Sequence, residues 1–135
     1  GGGPISDAGF IHKWNRQFGD EFLSDEDISE CLRSKGIGNF ELIKGDILET
    51  LDKYVERNPH LRIALLHIDT DVYEPSKAGL NKLFERVVRG GVIVFDDYGT
   101  VEGETKAVEE FLSDYPEYRL HKFTFAHTKP SYIIK

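Results

Sequence analysis

The sequence predicts a doubly wound α/β layer built on a parallel sheet. Three observations predict it. Strand-like runs alternate with amphipathic helical stretches in the order β-α-β-α-β-α-β-β. The run LRIALLHI at 61–68 is almost continuously apolar, as a parallel strand covered on both faces would be. Between Leu65 and Thr100 an apolar run ends in Asp69-Thr70-Asp71, a helix-period stretch and a Gly-Gly pair follow, and a second apolar run ends in Asp96-Asp97. A parallel βαβ unit puts both strand C-termini on one edge, so the two acidic pairs should meet there.

The bulk properties agree. With 135 residues the chain is a single domain, long enough for a core, and its 39% hydrophobic and 12% aromatic content is that of a globular protein. The formal charge of −7 argues against nucleic acid or an anionic membrane as partner and in favour of a site that attracts a cation. A single cysteine, Cys31, rules out a disulfide framework and a cysteine-type zinc site, and its place on the apolar side of a helix predicts core packing. No apolar run approaches the length of a membrane span and no leader pattern opens the chain, so the expected compartment is the cytoplasm.

Taken in order, Phe10, Ile11, Trp14 and Phe18 fall near helical spacing and predict a short helix, or a lid that lays aromatics over a site; His12, on one face with Arg16, is expected to be structural before it is functional. Ser24 can cap the next helix. Asp25, Glu26 and Asp27 fill its first turn, Ile28, Cys31 and Leu32 line its apolar face, and Gly36 suits its left-handed end. NFELIKG at 39–45 predicts a strand. Asp46 closes it and caps a helix whose buried stripe is Ile47, Leu51, Tyr54 and Val55, stopped by Asn58-Pro59. After the 61–68 strand, in which His67 is expected to be packed and hydrogen-bonded, Pro75 marks the first turn of a helix carrying Leu80, Leu83, Phe84 and Val87. Gly90-Gly91 ends it, and Val92–Phe95 is the next strand. A helix over 104–113 buries Ala107, Val108, Phe111 and Leu112. Strands at 118–125 and 131–134, joined through Lys129-Pro130, form an antiparallel hairpin.

Three strands thus end in acid, at Asp46, Asp69 and Asp96. Ligands of open α/β sheets bind beyond the carboxyl ends of the strands. Asp46 already has a capping role. Asp69, Asp71, Asp96 and Asp97 converge, and like charges repel unless something positive joins them. Neither acidic motif contains Lys or Arg, so a hard cation such as Mg²⁺ or Ca²⁺ is the economical answer. Such an ion orients a hydroxyl and lowers its pKa, and a neighbouring carboxylate takes the proton.

The stretch from His67 to Leu112, with Ile68-Asp-x-Asp-Val-Tyr-Glu74 and Gly90-Gly91 before Asp96-Asp-Tyr-Gly99, resembles the macrocin O-methyltransferase-like (TylF-type) family. The match covers about residues 24–115 and takes in Leu32–Leu51 more weakly. The resemblance implies a Rossmann-like class I methyltransferase fold, a three-layer sandwich with a mostly parallel sheet and an antiparallel C-terminal hairpin. It implies S-adenosylmethionine as cofactor, Mg²⁺ or another divalent cation, and methyl transfer to a hydroxyl of a small molecule such as a sugar or natural product. By the same resemblance Asp69, Asp96 and Asp97 are the metal ligands and Asp69 the catalytic base. Asp71 and Tyr98 are placed at the substrate, and Asp46 and Ile47 at the adenine.

The family pattern begins with a strand and Gly-rich turn for the cofactor's methionine end, then a strand ending in an acid for the ribose. Neither is found here, so the resemblance implies a C-terminal two thirds, with a second copy as one way of completing the sheet. Two rival readings stand beside it. In a haloacid dehalogenase-type phosphatase, Asp69 would be the nucleophile and Asp71 the acid/base. In a non-enzymatic reading the chain is a truncated α/β module that binds a cation or a partner.

Overall fold

The computed structural model describes residues 3–18, 23–125 and 130–135. Among these residues five α-helices and four strands follow in the order α1 (Asp7–Phe18), α2 (Asp25–Ser34), α3 (Ile47–Arg57), β1 (Ile63–Ile68), α4 (Tyr73–Leu83), β2 (Val87–Phe95), α5 (Glu102–Asp114), β3 (His121–Lys122) and β4 (Ser131–Ile134). A 3₁₀ turn, Phe84–Arg86, links α4 to β2. The sheet order is β1-β2-β4-β3. β1 and β2 run parallel around α4, while β4 lies antiparallel to β2 and to β3. The C-terminal hairpin therefore forms antiparallel, but its first strand is His121–Lys122 alone rather than 118–125; Lys129 of its connection and Gly1-Gly2 lie outside the described residues.

Period-two alternation sends Leu66, Ile68, Ile93, Phe95 and Ile133 to one sheet face, where Leu80, Phe84, Val108 and Phe111 meet them. That face carries the core. The opposite face is bare among the described residues: Leu65 of β1 is 62% exposed and Ile134 of β4 51%. The described helices thus supply one of the two outer layers of an α/β sandwich.

The helix signals act where they were read. The Ser24 side chain accepts from Asp27 N–H and Asp27 reaches back to Ser24 N–H, a complete capping box. Gly36 takes φ 78° after α2. The Asp46 carboxylate accepts from Leu48 N–H at 2.9 Å and starts α3 without the help of Glu49. Asn58 ends it.

Four expectations need correction. Residues 39–45 form no strand, although their sequence suits one. A strand needs a neighbour to accept its ladder bonds, and β1 pairs with β2 alone. For the same reason α3 has no sheet face beneath it: Ile47, Leu51, Tyr54 and Val55 are half-buried, and no residue of α3 is fully buried. Cys31 is exposed, because α2 buries no residue at all. The helix after Pro75 stops at Leu83, and β2 begins at Val87, before the Gly-Gly pair. The β-branched Val87 and Val88 favour strand over a fourth helical turn. Gly90 and Gly91 then sit inside the strand, at the irregularity between Ile63 and Leu65 in the β1 ladder. Gly90 has φ 81°, and a Cβ on Gly91 would lie 2.8 Å from the Val88 carbonyl oxygen.

Candidate active site

β1 and β2 deliver their acids one residue past the ladder. Asp96 N–H donates to the Ile68 carbonyl at 3.0 Å, so Asp69 and Asp96 leave the sheet side by side. The loop after Asp69 is braced: Thr70 Oγ1 bonds Ser76 Oγ at 2.8 Å, and Ser76 Oγ donates to the Val72 carbonyl at 2.8 Å. Asp71 adopts φ 62°, the left-handed region that Asp tolerates better than most side chains. Backbone strain of that kind gathers at functional sites. The loop after Asp97 is closed by Thr100 N–H and Val101 N–H, which both donate to the Asp97 carbonyl.

The four carboxylates do converge. Asp69, Asp71 and Asp97 can each offer one oxygen within 4.8 Å of the others. A second group, His67, Asp69 and Asp96, meets the same limit, with His67 Nε2 3.1 Å from Asp96 Oδ1. Asp69 belongs to both. Two oxygens facing each other across Ca²⁺ stand about 4.8 Å apart, and across Mg²⁺ about 4.2 Å. Asp69, Asp71 and Asp97 thus form an all-carboxylate donor set of the chemistry a hard cation takes; neighbouring ligands of such an ion stand closer than its opposite ones, so the three would draw together on binding. His67 is hydrogen-bonded as expected, to Asp96, but it is not packed: it stands half-exposed on the bare sheet face, beside the acids.

Crowding shows in the acidities. Burial, then the charges of Asp96 and Asp71, raise Asp69 above the usual carboxylate range, with His67 opposing. Burial, a hydrogen bond with Asp71 and the charges of Asp71, Asp96 and Asp69 push Asp97 up to about 7. Glu104, fully buried in the first turn of α5, is pushed up to about 8 by burial and by Asp97, Asp71 and Asp69, although Asp97 N–H opposes this. The Glu104 and His67 roles were not read from sequence. For Glu104 a signal existed: it lies three and four residues before Ala107 and Val108, on the face α5 buries.

Tyr98 follows the acids and packs half-buried against the core, with Lys122 Nζ 6.0 Å from its ring centroid. Burial and Glu109 raise its phenol, which stays protonated. Asp46 and Ile47 are not part of the acidic cluster. Ile47 and Gly45 line an apolar groove of about 440 Å³ between α3 and β1, with Ile43, Leu51, Leu61 and Leu65. The N-terminal segment does reach the acidic edge. Ile5 N–H donates to the Thr100 carbonyl, Glu102 N–H to the Ile5 carbonyl, and Tyr73 N–H to Asp7 Oδ2 at 3.0 Å. α1 leaves from there with Phe10 and Trp14 packed 6.0 Å apart and His12 exposed.

Comparison with solved structures gives the class. CalS11, described as a TDP-rhamnose 3′-O-methyltransferase of calicheamicin biosynthesis, in its apo form superposes at a TM-score of 0.62 with 30% identity over 69% of this chain and 41% of CalS11. The O-methyltransferase NovP gives 0.75 with 21% identity over 93% of this chain and 50% of NovP. An rRNA methylase from Streptococcus thermophilus gives 0.55 with 20% identity over 83% of this chain and 68% of the methylase. No curated protein sequence matches. The fold is the Rossmann-like fold of class I methyltransferases. The pattern of the macrocin O-methyltransferase (TylF) family matches residues 13–116, and the chain belongs to that family. It spans about two fifths of the length of CalS11.

Proposed function

We propose that the Asp69–Asp71–Asp96–Asp97 edge is the acceptor side of an S-adenosylmethionine-dependent, divalent-metal-assisted O-methyltransferase acting on a hydroxyl of a sugar or other small natural product. The observation that carries this reading is the meeting of acids from two strand ends within 4.8 Å, in a chain of an O-methyltransferase family. Asp69, Asp71 and Asp97, the three carboxylates that meet, would hold the cation; Asp96, expected from sequence as a ligand beside Asp69 and Asp97, groups instead with His67 and Asp69. When bound, it supplies charge that orients an acceptor hydroxyl and lowers its pKa. Asp69 would also be the group that takes the hydroxyl proton. Asp71 and Tyr98 flank the place where the acceptor would lie. A sugar acceptor is supported by the description of CalS11.

Isothermal calorimetry with Mn²⁺ and Mg²⁺ tests the site. Wild type should bind one divalent ion, and Asp69→Asn and Asp97→Asn should each weaken binding at least tenfold. A melt indifferent to either ion, in wild type and variants alike, would overturn the metal assignment.

The cofactor half is a separate matter. The groove beside Ile47 borders the outer edge of β1, where no strand pairs among the described residues. We propose that a further strand, from a second copy or another polypeptide segment, completes the sheet there and with it the cofactor site. These 135 residues alone should bind S-adenosylmethionine weakly or not at all; a calorimetric Kd in the low micromolar range would contradict this.

A further inference from the structure

One residue touches both acidic loops. The backbone N–H of Glu104 donates to the Asp71 carbonyl at 3.2 Å, and its side-chain Oε1 accepts from Asp97 N–H at 2.9 Å. Glu104 is 0% exposed, and its second oxygen, Oε2, is buried with no protein partner. The preceding residue explains how α5 comes so close. A Cβ on Gly103 would lie 2.4 Å from Tyr73 N and 2.2 Å from Asp7 Oδ1, so only glycine lets this helix start press onto the β1–α4 loop. No side chain caps α5 at Val101; the first turn is spent on the acidic loops instead.

We propose that Glu104 is a positioning residue, holding the Asp69–Asp71 loop by its backbone and the Asp96–Asp97 loop by its carboxyl, and so fixing the distance between the two acidic pairs. The proposal rests on the metal reading of those pairs for its functional consequence, and on hydrogen bonds alone for its structural one. Nothing else among the described residues bonds both loops from one side chain and its own N–H. Groups that hold metal ligands in place change metal affinity by roughly 10–100-fold when removed. Glu104 would act through Asp97 in this way without touching the ion.

The test compares Glu104→Gln, Glu104→Ala and Glu104→Asp with Val108→Ala, a buried residue of the same helix that bonds neither loop. Two readouts are taken: Mn²⁺ affinity by calorimetry, and hydrogen exchange of the Asp97 amide by NMR in metal-free protein. Gln keeps the acceptor oxygen, so it should bind Mn²⁺ within about threefold of wild type and keep the amide protected. Ala should lose roughly tenfold or more in affinity and expose the amide. Asp, one methylene shorter, should do the same if Ala does not fold. Val108→Ala should lower the melting temperature yet leave affinity and the Asp97 amide unchanged. Wild-type affinity and protection in Ala or Asp would overturn the proposal, as would equal losses in Val108→Ala. If wild type binds no Mn²⁺, the metal reading fails, and the Asp97 amide still decides for or against Glu104.

Discussion

Raising the pH of the metal-free protein from 5 to 9 should lower its melting temperature by roughly 10 °C, and millimolar Mg²⁺ should restore most of the loss. The sign follows from the acids at the sheet edge. Glu104 titrates at about 8 in the folded chain, well above the ordinary glutamate value of 4.5. Between those values the folded chain holds a proton that the unfolded chain has given up. Stability therefore falls as pH rises through this window and levels off above it. A shift of that size in a fully buried group corresponds to on the order of 4 kcal/mol. Asp97, pushed up to about 7, adds in the same direction. At roughly 3 °C per kcal/mol for a chain of this length, Glu104 alone accounts for a fall of about 10 °C. A cation bound only to the folded chain offsets the repulsion by mass action. Differential scanning calorimetry at pH 5, 7 and 9, with EDTA or with Mg²⁺, makes the comparison. A melting temperature flat across that range in EDTA would contradict the crowding of charge described here.

Phe84→Ala should cost about 4 kcal/mol and leave little folded protein at 37 °C. Phe84 is almost fully buried at the turn between α4 and β2. Its ring meets Phe111 edge-on at 4.8 Å, Tyr115 at 4.6 Å and Tyr118 at 5.7 Å. Lys135 Nζ lies 4.3 Å from its centroid and donates to its carbonyl oxygen at 2.9 Å. The ring thus joins α5, the segment after it and the chain's last residue to the βαβ unit. Aromatic pairs of this geometry contribute about 1 kcal/mol each beyond the area they bury. Phe84→Leu keeps most of the buried volume and should cost less than half as much. Urea unfolding followed by far-UV circular dichroism measures both, and a loss under 1.5 kcal/mol for the alanine variant would show the cluster to be peripheral.

What the sequence made legible was whatever a residue decides with near neighbours. Ser24, Gly36 and Asp46 end or begin helices through bonds to residues two to four positions away, and each acts as read. The continuous apolar run of β1 and the acids beyond it were equally plain. The start of β2 was not, because Leu80, Leu83, Phe84 and Val87 keep helical spacing across a helix end; the backbone obeys the ladder to β1, which lies over twenty residues upstream. Residues 39–45 failed as a strand for the opposite reason: their own preference was right, and the neighbour that would realise it is not beside them. At the site, the converging aspartates were legible because strand ends in a parallel unit must meet. The hydrogen bond of His67 was legible but its exposure was not, because alternation alone does not tell which face of a sheet is covered. Glu104 escaped because its importance lies in contacts to two loops, neither of which it resembles in sequence.

The unpaired margin of β1 also bears on how these residues behave in a tube. Ile63–Ile68 has no lysine, proline or inward-pointing charge of the kind that normally blunts a strand edge, and its own Leu65 faces water. Such a margin accepts any extended chain, including another copy caught half-folded. Concentrated stocks would then thicken by lateral accretion along this rim, at a pace set by protein concentration rather than by unfolding. Keeping the material dilute becomes part of handling an otherwise sound fold.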